Sequence, residues 1–324
     1  MKIHRRRLLG LAGAGVAFPL LTKAALAQSY PDRPIRLVVG FPQDGPNDIL
    51  ARLIGAWLAV RLGQPVNVDN RPGGSGNMAT EIVVRAPADG YTLLLVGPAN
   101  AISGSLNDNL TFDFMRDIAP VAGLTREPLV MLVHPSVPAT GVAEFLAYAK
   151  ASPNRIRTAS TGNGSSPHLS ALLFGMLAGL DLDVVHYAGG GPALKALIAG
   201  EAQLMFEPMS ASIEAIRSGK LRALAVTTAA RSAALPELPA LGDVVPHYEA
   251  SAVTGIGAPR NTPAVVIDRL NREINAAFAD PTMKARLGDT GGMVLAGTPA
   301  EFGRLMAEET EKWGKVIRAA GAKP

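Results

Sequence analysis

Five glycine-rich turns concentrate the groups in this sequence that can hold a ligand. They are PQDGPND (42–48), RPGGSGN (71–77), GPANAISG (97–104), STGNGSSPH (160–168) and HYAGGGPA (186–193). Glycine lets the backbone approach a ligand closely, and successive N–H groups in such turns form concave anion-holding nests. Ser160, Thr161, Ser165 and Ser166 add neutral donors suited to a carboxylate. Asp44 is the odd member, because a small neutral residue would serve an anion better there. Asp48 is placed to cap a helix, together with or instead of bordering a pocket. Glu207, at the end of the apolar run LMFEP, is either a solvated loop acid or a partner for a ligand hydroxyl, amine or water. His168 close to Ser165 and Ser166 leaves open a periplasmic hydrolase built on a serine–histidine pair, although no orienting acid accompanies it. Its other reading is a helix-starting residue that contacts ligand or solvent.

Established enzyme signatures are missing. There is no G-x-S-x-G elbow and no G-x-x-x-x-G-K-[ST] phosphate loop. Zero cysteines exclude disulfides, thiol catalysis and cysteine-ligated metal. Past the first 27 residues only His134, His168, His186 and His247 remain, with no H-E-x-x-H pair. We therefore expect no catalytic residue, no metal and no cofactor.

These turns must be held by regular elements, and the sequence shows where. Residues 1–27 read as an export signal: a basic start, an apolar stretch from Leu8 to Leu21, and Ala25-Leu26-Ala27 as a small-residue cleavage site. Arg5-Arg6 before Leu8-Leu9, with Lys23 near the cleavage site, suggests the twin-arginine route; the general secretory route and an uncleaved anchor are the alternatives. The segment holds Lys2, Arg5, Arg6, Arg7 and Lys23 and no acid, which leaves 26 basic against 27 acidic residues downstream. The isoelectric point near 9.4 thus belongs mostly to the signal and is no evidence for nucleic-acid binding. No later run reaches membrane-spanning length, so a periplasmic, soluble, monomeric mature chain is expected.

About 297 mature residues exceed one comfortable core. Short apolar runs alternate with helical patterns. Strands are expected at Ile35–Phe41, Val66–Val68 and Thr92–Val96, with helices at Asp48–Leu62 (capped by Asn47 or Asp48) and Asn77–Ala86. A second series follows: strands Leu129–Val133, Arg157–Ala159, Asp183–His186, Gln203–Phe206 and Arg222–Val226, with helices Thr140–Ala151, Pro167–Gly179 and Pro192–Ala199. The chain then returns near Ala252–Ala258 and ends in helices Pro263–Ala279 and Pro299–Ala320, with Trp313 on a buried face. Continuous apolar strands separated by helices point to mainly parallel α/β sheets covered on both faces. In such sheets ligands sit beyond the carboxyl ends of the strands, where these turns fall.

The ordered blocks YPDRPIRLVVGFP, GQPVNVDNRPGGSGN, APADGYTLLL, FDFMRDIAPVAGL, ASTGNGSSPHL, HYAGGGPAL, GKLRALAVTT and KWGKVIRAAG resemble the Bug family of extracytoplasmic solute receptors of tripartite tricarboxylate transporters. The resemblance spans almost all of residues 29–324. It implies a two-lobed, type II-like periplasmic binding fold with a central cleft, no enzymatic activity, a small carboxylate as solute, and a membrane permease or a sensor protein as partner. It also implies lobes at 29–128 plus 250–324 and at 129–249. By motif, the first lobe would contribute Phe41, Gln43, Gly45, Asp48, Gly76, Asn77, Asn100 and Ala101. The second would contribute Ser160, Gly162, Gly164, Ser165, His168, Tyr187, Gly189, Ala193 and Glu207. A ligand-free interaction module is the further alternative.

Two departures stand out. The family's first turn commonly reads Phe-Pro-Pro-Gly-Gly, whereas here Gln43 and Asp44 precede Gly45. Its Asp-Asn at the later site is here Glu207-Pro208. Like charges ~4 Å apart repel by about 4 kcal/mol at an effective dielectric of 20. If Asp44 faces the cleft, the solute is expected to carry an amine, amide or hydroxyl beside any carboxylate.

Overall fold

The computed structural model describes residues 30–107, 109–152, 156–232, 235–289 and 292–321; the expected export signal lies outside them. The first half begins β1 (Ile35–Val39), α1 (Pro46–Leu62), β2 (Val66–Asn70), α2 (Asn77–Val84), β3 (Thr92–Val96), α3 (Pro98–Leu106) and α4 (Phe114–Asp117). β1 pairs in parallel with both β2 and β3. Its Ile35, Leu37 and Val39 join a core with α1, while Val38 joins a second core with α2. Burial on both faces is why this strand is apolar apart from Arg36, which donates to Asp69 of β2, rather than alternating.

β4 (Ile118–Val133) then crosses to the second half, which comprises α5 (Val142–Ala151), β5 (Arg157–Ser160), α6 (Ser166–Ala178), β6 (Asp183–His186), α7 (Gly190–Ile198), β7 (Leu204–Pro208), α8 (Met209–Arg217) and β8 (Arg222–Val226). β9 (Ser251–Pro259) returns the chain, followed by α9 (Ala264–Ala279), α10 (Pro281–Asp289), β10 (Met293–Val294) and α11 (Pro299–Ala320). The strand order is β2-β1-β3-β9-β4-β7-β5-β6, with β8 and β10 also on β4. β4 runs beside β9 from Ile118 to Pro128 and beside β7 from Leu129 to Val133. Two lobes are thus joined through the β4–β9 ladder.

Several expectations need correction. β4 is a single 16-residue strand, although only its last five residues read as one. Pro120, Gly123 and Pro128 broke the pattern; the ladder absorbs the first two at irregularities between Pro120 and Ala122 and between Gly123 and Thr125. The GPANAISG segment is not a turn: α3 starts at Pro98, and its small residues gave no apolar stripe. α8 was likewise not expected, although Met209, Ile213 and Ile216 recur at helical spacing and pack on the second-half core. α1 is capped by Gly45 with Pro46 in its first turn, not by Asn47 or Asp48.

Two glycines on the crossover strands admit α11. A Cβ on Gly123 would lie 3.3 Å from Phe302 Cδ2, and 2.9 Å from Leu295 Cβ ahead of that helix; one on Gly255 would lie 2.1 Å from Phe302 Cζ and 2.6 Å from the Ala122 carbonyl oxygen. α11 starts against the first half through Phe302 and Met306 and ends in the second-half core through Trp313, Val316 and Ile317. The Trp313 indole N–H donates to Glu309 at 2.6 Å within the same helix.

Candidate functional site

The loops after β1, β2 and β3 and those after β5, β6 and β7 leave the carboxyl ends of their strands, and the two sets meet. Ser75 Oγ donates to the Asn163 carbonyl at 3.3 Å, joining the loop after β2 to the loop after β5. Gly164, at φ +72°, lies so close to α3 that a Cβ would sit 2.9 Å from the Cδ1 atoms of Ile102 and Leu106.

On the first side, Asp48 organises the turn. It is 1% exposed, and its oxygens accept the Asp44 N–H at 3.0 Å, Arg52 Nε at 2.8 Å and Asn70 Nδ2 at 2.9 Å. Burial pushes this carboxyl up, but the hydrogen bonds outweigh it and hold it below the usual range. Asn70 Nδ2 also donates to the Phe41 carbonyl, so Asp48 braces residues 41–48 from within. Asp44 is exposed and takes φ +65°, a left-handed conformation that aspartate tolerates better than most residues. Gln43 is exposed, Gly76 takes φ +88°, and the Asn77 Oδ1 is buried without a partner. Asn100 is committed internally: Oδ1 accepts the Gly97 N–H at 2.7 Å and Nδ2 donates to Thr80 at 2.8 Å. Ala101 is buried beside it.

On the second side, Ser160, Ser165, His168 and His186 form one network. Ser165 caps α6, accepting the His168 N–H at 3.3 Å and donating to the Gly162 carbonyl at 2.7 Å. Ser160 Oγ, fully buried, lies 3.2 Å from His186 Nδ1 and 3.1 Å from the Gly162 carbonyl. His168 Nδ1 accepts the Gly164 N–H at 3.0 Å, and its ring meets His186 edge-on at 4.7 Å. Burial, then the neighbouring His186, push His168 down to about 4, so at neutral pH it is uncharged with its proton on Nε2. Gly162 and Gly189 take φ +127° and +106°; Tyr187 is half-buried and Ala193 buried.

His168 makes a testable contribution. The unfolded chain takes up a proton near 6.5, whereas the folded site resists it down to about 4. The contribution is therefore complete above 6.5 and is lost as pH falls from 6.5 to 4, by roughly 3 kcal/mol. In urea unfolding, the stability advantage of wild type over His168→Gln is expected to shrink by that amount across this window. A constant difference would contradict the neutral, buried imidazole.

Glu207 is 3% exposed rather than solvated. One of its oxygens lies 2.8 Å from where a Gly190 Cβ would be, at the start of α7, and Oε2 is buried without a partner. Sequence reasoning missed Glu127, which acts on Glu207 electrostatically, and it passed over His186. Glu127 is a lone acid in REPLV, and nothing in the sequence pairs it with a residue 80 positions later.

A cavity of about 810 Å³ lies elsewhere. It is lined by Arg126, Pro128, Glu249, Met293 and Lys312 among others, and by none of the expected site residues. A smaller cavity of about 400 Å³ borders Asn100 and Ala101. Among the described residues no cluster of His, Cys, Asp or Glu could hold a metal, and no helix is long and apolar enough to cross a membrane.

The family model described as "Tripartite tricarboxylate transporter family receptor" matches residues 50–322. The chain belongs to this receptor family. Protein BugT of Bordetella pertussis is 34% identical over 324 residues, covering 99% of each chain. R. palustris Rpa4515, solved with adipate, is 35% identical with a TM-score of 0.83, covering 91% of this chain and 99% of that one. MatC from Rhodopseudomonas palustris, solved with bound malate, is 31% identical with a TM-score of 0.80, covering 89% and 100%. Periplasmic binding protein BugD is 29% identical with a TM-score of 0.80. The two-lobed receptor fold and the solute-receptor role expected from the sequence therefore stand.

Proposed function

We propose that this receptor captures one small carboxylate between the loops of its two lobes and delivers it to the permease subunits of a tripartite tricarboxylate-type transporter. The contact of the glycine- and serine-rich loops across the two lobes carries this reading, with the Ser75–Asn163 hydrogen bond as its clearest sign. The amino-terminal ends of α1, α6 and α7, the positive ends of their helix dipoles, supply the polarity a carboxylate needs. The adipate and malate held by the two relatives are of this class. Ser160, Gly162, Gly189 and Tyr187 are our second-lobe contacts, and Phe41, Gln43, Gly76 and Asn77 our first-lobe ones.

The working protein is the monomeric chain after removal of residues 1–27 in the periplasm, with lobes 29–128 plus 250–324 and 129–249. It acts without turnover. The hydrolase alternative lacks support, since Ser165 Oγ and His168 Nδ1 each bond to backbone groups rather than to one another. Native purification followed by mass spectrometry of the denatured protein is expected to release a stoichiometric small carboxylate; recovery of a non-carboxylate solute contradicts the reading.

Asp44 can be placed by substitution. Relief of the left-handed strain, about 1–2 kcal/mol for an ordinary residue, offsets the roughly 0.5–1 kcal/mol entropic cost of glycine. Asp44→Gly is therefore expected to fold with unchanged stability. Calorimetric titration should show it binding plain dicarboxylates more tightly. Unchanged affinity for plain and amino-bearing carboxylates alike would remove Asp44 from the site.

A further inference from the structure

Arg126 and Pro128 on β4 line the cavity behind the crossover strands, where Arg126 Nη1 donates to Glu249 and Ser251 at 3.0 Å each. Successive side chains of a strand point to opposite faces, so Glu127, between them, points forward. There Ser210, in the first turn of α8, donates its hydroxyl to Glu127 Oε1 at 2.5 Å. β7 leads directly into α8, and Glu207, its penultimate residue, lies against the first turn of α7, with Oε2 buried and unpartnered. Two carboxylates and a hydroxyl therefore converge where the ladder meets the second-lobe loops.

Among the described residues no lysine or arginine acts on either carboxylate. Glu127 is raised to about 7 by burial against the opposing pull of Ser210, and Glu207 to about 8 by burial and then by Glu127. The titratable side chains of the neighbouring loops, His168 and His186, are both pushed towards the neutral form by burial. Arg126 is turned to the other face. Buried acceptor oxygens without their own cation suit a positive group from a ligand, whose charge would favour ionisation of the pair.

We propose that Glu127, Glu207 and Ser210 form a cation-accepting subsite at the floor of the cleft, and that the solute is a carboxylate that also bears an ammonium group. This rests on the receptor reading above. The helix starts hold the solute's carboxylate, and Glu127, half-buried, presents its carboxyl to the ammonium with Glu207 behind it. Ionisation of the pair is completed by the incoming charge, so affinity for an amino-carboxylate rises with pH.

The test is calorimetric titration of the mature protein with two probe pairs, adipate against 6-aminohexanoate and malate against aspartate, at pH 6 and pH 8. The amino-bearing member of at least one pair is expected to bind tenfold or more tightly than its counterpart, and more tightly at pH 8. Glu127→Gln and Glu207→Gln, checked for folding by thermal melts, should reduce that preference below threefold. Ser210→Ala gives a second route if either glutamine variant fails to fold, with a smaller loss of preference expected. Dicarboxylates binding more tightly than their amino counterparts, or variants that keep the preference, would overturn the subsite while leaving the receptor standing. Binding of none of the four probes would instead overturn the carboxylate reading, and the subsite with it.

Discussion

Glu207→Gln is expected to make the unliganded protein more stable at pH 8 than wild type, by on the order of 4 kcal/mol, and to leave it little changed below pH 4.5. Burial, reinforced by Glu127, raises the folded carboxyl from its ordinary 4.5 to about 8. Between those values the folded protein keeps a proton that the unfolded chain has released. The contribution of Glu207 is therefore complete below pH 4.5 and is lost as pH rises towards 8. Glutamine preserves the shape and carries no charge to bury. Urea unfolding of both proteins at pH 4.5, 6 and 8 reads the divergence directly. Parallel stability profiles would mean that Glu207 is solvated or already neutralised. This sign is opposite to that of His168, whose contribution grows with pH, so the two variants separate the terms that a single wild-type profile would merge.

The second large effect is structural. Gly255→Ala should destabilise the chain at the upper end of the range for overpacking, about 3 kcal/mol. The added Cβ would meet the Phe302 ring at 2.1 Å and the Ala122 carbonyl at 2.6 Å. The ring could swing away only by leaving a buried position, and the carbonyl belongs to the neighbouring strand of the crossover ladder. At roughly 2–4 °C per kcal/mol for a chain of this size, a fall of several degrees in Tm is expected. Gly104→Ala is the matched control, because its Cβ would meet nothing within 4 Å in an exposed stretch of helix. It should gain about 0.5–1 kcal/mol. Equal melting temperatures for the two variants would show that α11 does not press on the ladder.

Much of this architecture was legible because burial on both faces leaves an unambiguous mark. Ile35–Val39 is apolar except for Arg36 and Thr92–Val96 except for Thr92; a glycine-containing turn and a helix follow the first, and a helix follows the second after Gly97 alone. The glycine-rich loops marked the candidate site, since closely approaching backbone demands residues of that kind. What stayed hidden depends on partners distant in the chain. β4 carries prolines and a glycine that only its ladder with β9 makes tolerable. Asp48 looked like a helix cap, yet its role comes from Asn70 and the Asp44 N–H, which no spacing rule joins. The pairing of Glu127 with Glu207 exists only because β4 and β7 lie side by side. Gln43 and Asp44 departed visibly from the family's turn, and φ +65° at Asp44 shows that the departure keeps a backbone shape glycine would take more easily.

The most direct test of the central claim is titration of the mature chain with a panel of small carboxylates, with the solute recovered afterwards and analysed. The account predicts saturable binding of one solute per chain, recovered chemically unchanged, and loss of affinity in a Ser160→Ala, Ser165→Ala double variant that still folds. Conversion of the solute to product by the pure protein, or full affinity in the double variant, would contradict it.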